Sequence, residues 1–236
     1  MIFAVSVAQP TTQAASIINT VKCNSLALFA SASVSALKLG SSAMQTAFEL
    51  NLNIMKGAWQ LEDTAVNALR TVGKSAFTGA LDTFQNRPGV FIKNTEVRTK
   101  AVETYKTTML DALSDHQINI DAARAIYRED MLALVIAHQE VLTGLVATLT
   151  TTITDAVNVA KENCSKPGVV ATLTGVIAKA NATLLAKGIA EDVRSLAKAV
   201  VLVTTRNKSF IKEELAFLKT SVSATADLAA AFLTRK

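Results

Sequence analysis

Of the 236 residues half are apolar and only 18% charged, and the formal net charge is +5. An average globular protein is about 25% charged, so this chain has more apolar surface than a soluble monomer ordinarily exposes, and it has to cover that surface somewhere. With nine glycines, three prolines and two cysteines, the composition argues against a turn-rich β-fold and excludes a disulfide or zinc framework.

In chain order, residues 1–10 read as an N-terminal extension closed by Pro10. Met1 to Ala8 is apolar, but it is short and lacks the positive leading region of a signal peptide. Breakers then cluster at Asn86-Arg87-Pro88-Gly89 and at Ser165-Lys166-Pro167-Gly168. Proline removes a backbone donor and glycine accepts positive φ, so together they end helices. Three proline-free segments remain, 11–84, 95–164 and 169–236. Each is roughly 70 residues, or about 100 Å long as a helix at 1.5 Å per residue.

The first segment carries only Lys22 and Lys38 as charges up to Phe48. It is expected to be helical with a break at Gly40, where glycine weakens a helix. The middle segment has the clearest helical period. Val97, Ala101, Tyr105, Met109 and Ala112, then Met131, Leu134, Leu142, Leu145, Leu149 and Ile153, recur at three- and four-residue steps where a strand would alternate. Asn94 or Thr95 suits its N-cap, and a bend is expected near Ser114 to Gln117. In the third segment Leu173, Ile177, Ala180, Leu184, Leu215, Leu218 and Val222 continue the helical pattern, and Thr204 to Asn207 is its weakest point.

Long helices joined by short connections pack antiparallel. The reading is therefore an all-α fold, an elongated antiparallel bundle of three long helices forming one domain. If the second hairpin turns at Pro167, facing residue numbers sum to about 334. Arg194 then meets Glu140, Lys212 meets Asp121, Lys219 meets Asp115, and Arg206 falls near Glu129 and Asp130. The same register leaves Cys23 and Cys164 near one end but several residues out of step. A disulfide needs Cα atoms within about 7 Å, so both cysteines are expected as small buried thiols.

Sites of chemistry are sparse. Gly73-Lys74-Ser75 matches the end of a phosphate-binding loop, but Ala68 stands where the first glycine belongs and no strand precedes it. His116 and His138 are the only histidines, and neither follows a carboxylate at the spacing of bundle metal sites. Asp111, Asp115 and His116 read as a solvated face. Asn163-Cys164-Ser165, Asn181-Ala182-Thr183 and Asn207-Lys208-Ser209 match the glycosylation pattern, as chance allows in so threonine-rich a chain. No nucleophile–base pair, metal, cofactor or small-molecule substrate is expected, and the chain reads as a non-enzyme.

Charge is unevenly spread: about +1 through Phe84, −1 from there through Lys166 and +5 beyond. Lys187, Arg194, Lys198, Lys208, Lys212 and Lys219 fall within a narrow arc at about 100° per residue. Such a stripe suits nucleic acid or an anionic membrane surface, and pairing with the facing acids is the simpler expectation.

Met131 to Thr154, with Glu140 as its only formal charge, is too polar for a standard transmembrane helix and too apolar for an ordinary soluble surface. The charge-poor end formed by Leu132, Leu134, Val135, Ile136, Val141, Leu142, Leu145, Val146, Leu149, Val169, Val170, Leu173, Val176 and Ile177 is expected to be an assembly or membrane interface. Ala47-Phe48-Glu49-Leu50-Asn51-Leu52-Asn53 resembles the leucine–asparagine–leucine helix of phasins. This resemblance covers about a dozen residues and implies an amphipathic coat on an apolar granule.

Three functions follow from these readings. The first is a structural subunit whose charge-poor end packs against copies of itself or other subunits of a large assembly, such as a virion or a tail-like machine. The second is an α-helical membrane-inserting protein of the pore-forming or ejection-conduit kind, and the third is the granule coat. Virion or cytoplasm is the expected location.

Overall fold

The computed structural model describes residues 23–87, 95–164 and 166–233. All the regular structure among them is helical: α1 (Cys23–Gln85), α2 (Thr95–Glu162) and α3 (Val169–Leu233). The N-terminal extension, Pro10, residues 11–22 of the first expected segment, Asn94 and the Pro88-Gly89 breaker lie outside the described residues. Three expected weak points are regular helix: α1 is helical through Gly40, α2 through Ser114 to Gln117, and α3 through Thr204 to Asn207. Gly40 therefore does not break α1; a single glycine costs only about 1 kcal/mol against alanine, which a helix of 63 residues absorbs.

The inward positions explain why three such long helices form. On α2 they run Val102, Tyr105, Met109, Leu113, His116 and Ile120, and the same three-four-four spacing carries on to Val157 and Ala160, every one buried or half-buried. On α3 it runs from Leu173, Ile177, Ala180 and Leu184 to Phe217, Ser221, Ala224 and Leu228. Eleven residues in three turns is about 3.67 per turn, near the relaxed 3.6, so a face holds its line without the left-handed supercoil that a heptad imposes.

Contacts group the chain into two units, one of residues up to Asn53 with Ala133–Lys198 and the other of Ile54–Leu132 with Ala199–Lys236. In the first, Leu37 of α1, Leu149, Ile153, Val157 and Ala160 of α2, and Leu173, Ile177 and Ala180 of α3 form one apolar core. Ile153 and Leu173 are 0% and 2% exposed; burying such side chains contributes about 1.5–3 kcal/mol each. Cys164 packs against this core and is disulfide-bonded, which corrects the expectation of two thiols; the Cys23 side chain lies outside the described residues. A helical register fixes facing positions only within the helices, and α2 ends at Glu162, which leaves Cys164 in the turn.

The second unit has a thin core of Leu81, Val102, Met109 and Ala224. Ion pairs and rings do much of the rest. α1 and α2 run antiparallel there: Gln85 meets Glu103, Lys106 meets Asp82, Arg70 meets Asp121, and Arg128 meets Asp63. The α2–α3 register agrees with expectation. His116 with Phe217, Tyr127 with Arg206, and His138 with Ser195 each sum to 333.

The turn into α3 is built by Pro167 and Gly168. Gly168 has φ 86°, a left-handed value open to glycine at little cost. Its carbonyl accepts the first helical bond, from the Thr172 N–H at 3.0 Å.

Candidate interaction surfaces

The strongest electrostatic site lies in the second unit between α1 and α2. Arg124 is 6% exposed. Its guanidinium reaches Asp63 at 2.9 Å, Glu62 at 3.2 Å and Asp121 at 3.4 Å. Arg128 grips Asp63 with two hydrogen bonds, at 2.7 and 2.9 Å, and also donates to Glu62 at 2.9 Å. It donates further to the Trp59 carbonyl and lies 5.6 Å over the Trp59 ring. Arg70 holds Asp121 with two bonds of 2.7 and 2.9 Å. Three guanidinium groups thus meet three carboxylates, and the planar fork of arginine suits that geometry.

Partial burial pushes the Glu62 carboxyl up, but the hydrogen bond from Arg128 and the charge of Arg124 outweigh it and hold it below its ordinary value. The Arg128 bond holds Asp63 low, and the Arg70 bond does the same for Asp121. Arg128 is in turn raised, chiefly by its bond to Asp63. The cluster is neutral in sum and every charge has a counter-charge within ion-pair distance, so it clamps two helices rather than offering open chemistry.

Both histidines sit on the α2–α3 seam. His116 Nδ1 lies 3.3 Å from the Glu213 carbonyl, which can only accept, so that nitrogen carries a proton; Nε2 is 3.4 Å from Glu214. His138 lies 3.0 Å from Ser195 Oγ and 3.2 Å from Asp192. Among the described residues no three His, Cys, Asp or Glu side chains gather as a metal site would require.

The charge pairs expected across the α2–α3 seam do not form. Arg194 pairs with Glu191 on its own helix at 3.3 Å. Asp121 is taken by Arg70 and Arg124. Arg206 lies over the rings of Tyr127 and Phe210, at 4.5 and 5.6 Å. The register agrees and the angular phase differs: Glu213 and Phe217 face the seam, while Lys212 is exposed and Lys219 lines the solvent-open edge of a groove beside Tyr105. All six residues of the basic stripe are exposed. Among the described residues none of its five lysines makes an ion pair.

The charge-poor set divides. Leu149, Leu173 and Ile177 are buried in the first unit's own core, and Val146 is also buried. Leu145, Val169 and Val170 pack against that core, while Leu132, Leu134, Val135, Leu142 and Val176 are half-buried. Ile136 and Val141 are exposed at 43% and 47%. Both α2 and α3 also contain an 18-residue window long and apolar enough to cross a membrane, with only 11% and 17% of it buried. For α2 this corrects the expectation that Met131 to Thr154 is too polar for a membrane-length segment. The mean hydropathy of a window is set by its many Leu, Val, Ile and Ala, which outweigh scattered threonines and His138.

A surface that the sequence reading missed runs along α1. Leu28, Leu39, Leu50, Leu61 and Val72 stand eleven residues apart and are 60–74% exposed. Beside them, at the same spacing, lie Ala32, Ala43, Ile54, Ala65 and Ala76, all exposed. The first unit carries Leu28, Leu39 and Leu50, and the second carries Leu61 and Val72. Every charged residue of α1 lies about 100° or more around the helix from the leucine line at an eleven-residue period. The signal was in the sequence as an eleven-residue recurrence, visible only when self-similarity is sought before helical period. Comparisons with protein families, curated proteins and solved structures return no match for this chain.

Proposed function

We propose that the protein is a non-catalytic structural subunit that packs through the outward face of α1 against copies of itself or other helices of a large assembly, of the virion or tail-like kind. The observation that carries this reading is the exposed series Leu28, Leu39, Leu50, Leu61 and Val72 on a charge-free face. A solvated helix face has no reason to exclude charge at every turn, and exposed apolar patches on this scale mark contacts. The flanking alanines let a second backbone approach closely, so that ridges of leucine fit into shallow grooves. A face so rich in alanine gains little from lipid and much from close packing.

Sedimentation velocity over a range of concentrations tests the reading. The protein is expected to associate, and Leu39→Lys with Leu61→Lys is expected to leave a helical monomer. A wild-type chain that stays monomeric at high concentration refutes the proposal, and a double variant that assembles normally moves the contact elsewhere.

A second reading, membrane insertion, is favoured by the poorly buried membrane-length windows of α2 and α3. Release of a trapped dye from liposomes supports it, and intact liposomes at saturating protein count against it.

A further inference from the structure

The second unit's stretch of α3 presents another outward face, and its chemistry differs from that of α1. Val200, Ile211, Leu215, Leu218 and Val222 are 56–62% exposed and lie within an arc of about 60° at roughly 100° per residue. Lys208, Lys212 and Lys219 occupy the next ~40° on the same side, all exposed. The acids of the stretch do not neutralise them. Glu213 accepts a bond from Asn119 at 2.8 Å, and Glu214 sits beside His116. Asp227 lies about 180° around the helix from Val200.

We propose that this face lies flat on an anionic lipid surface, with the apolar strip at the acyl boundary and the three lysines on the headgroups. A helix with a bulky apolar strip beside a lysine flank is the form that lies in a membrane interface. Lysine stems bury their methylenes along apolar surface while the ammonium stays in water, so the lysines extend the contact. Nucleic acid fits less well: a phosphate track has no use for an adjoining strip of valine and leucine. The aromatic rings that would stack bases face inward here, Phe210 beside Arg206 and Phe217 against His116. This inference stands apart from the α1 contact, which sedimentation alone decides.

Flotation of the full chain with two kinds of vesicle tests it: phosphatidylcholine alone, and an equal mixture of phosphatidylcholine and phosphatidylserine. The protein is expected to float with the mixed vesicles, to be released by salt, and to leave a trapped dye in place. Each lysine near an anionic surface is worth roughly a fivefold gain, so the Lys208→Gln, Lys212→Gln, Lys219→Gln triple variant is expected to bind about a hundredfold more weakly. Leu215→Ser with Leu218→Ser is expected to weaken binding as well; circular dichroism checks that both variants keep their helix content. Equal binding to neutral vesicles overturns the proposal, as does an absence of binding to either kind. So do dye release and tighter lysine-dependent binding to a DNA duplex.

Discussion

Substituting methionine for Arg124 keeps an apolar stem in place and removes the buried charge. Breaking a buried ion pair by deleting one partner costs about 3–5 kcal/mol, because the other charge is stranded. Here the stranding is partial. Glu62, Asp63 and Asp121 have side chains 39%, 45% and 50% exposed, and they keep Arg128 and Arg70 as partners. Arg124 Nε and Nη2 also lie within ion-pair distance yet off the hydrogen-bond direction, so those two contacts are Coulombic rather than aligned bonds. Water and the remaining arginines recover part of the loss, which brings the expected cost to about 1–3 kcal/mol.

Trp59 is the only tryptophan and lies under Arg128, so its fluorescence reports unfolding at the cluster itself. With a urea slope of about 1–3 kcal/mol per M, the midpoint of Arg124→Met is expected about 1 M below wild type. In acid the gap narrows, since the carboxylates that Arg124 serves become protonated as pH falls through their lowered folded-state values. A variant as stable as wild type at neutral pH, or more stable, refutes the clamp. The buried guanidinium would then be a burden that packing alone offsets, as happens at some buried ion pairs.

The other predictions concern different parts of the fold. Leu173→Ala, at a site 2% exposed, is expected to cost about 2–5 kcal/mol in urea unfolding, and Leu185→Ala, at 62% exposed, no more than about 0.5 kcal/mol. Gly168→Ala meets no neighbouring atom but carries a φ of 86°. It is expected to lower stability by about 1–2 kcal/mol, measured by thermal melting. Acid is expected to loosen the α1–α2 clamp. Glu62, Asp63 and Asp121 are held below their ordinary values of 4.5, 3.8 and 3.8. Their contribution is therefore complete above those values and is lost as pH falls through the lower folded-state ones; Trp59 emission followed from neutral pH downward checks it.

Much of the fold was legible because breakers and apolar period are local signals. Pro167 and Gly168 placed the second turn, and the antiparallel register followed from chain length. Which residues carry charge contacts was not legible, because a register constrains position along a helix and leaves its angular phase open. Arg194 and Glu140 sit at matching heights, yet Arg194 finds Glu191 one turn back on its own helix. The Arg124 cluster was not legible because α1 brings Glu62 and Asp63 to α2 from about 60 residues away in sequence, through a hairpin whose register no local signal sets.

The surplus of apolar residues has a more specific home than a greasy tip. Several side chains expected to make a sticky end, Leu149, Leu173 and Ile177 among them, are interior to the first unit. The surface left over follows lines along single helices instead. A bundle helix needs one apolar stripe to fold, and α1 has two. Leu37 and Leu81 face in, while Leu39, Leu50 and Leu61 face out. Within each unit the second stripe keeps the same eleven-residue phase as the first: Leu28, Leu39 and Leu50 in one, Leu61 and Val72 in the other. At a relaxed 3.6 residues per turn each repeat drifts by about 20°, a small offset that slight unwinding removes. Folding the monomer explains the inward stripe alone. Among the described residues nothing covers the outward one, which holds to the same phase, as the proposed packing against a second helix of matching rise requires.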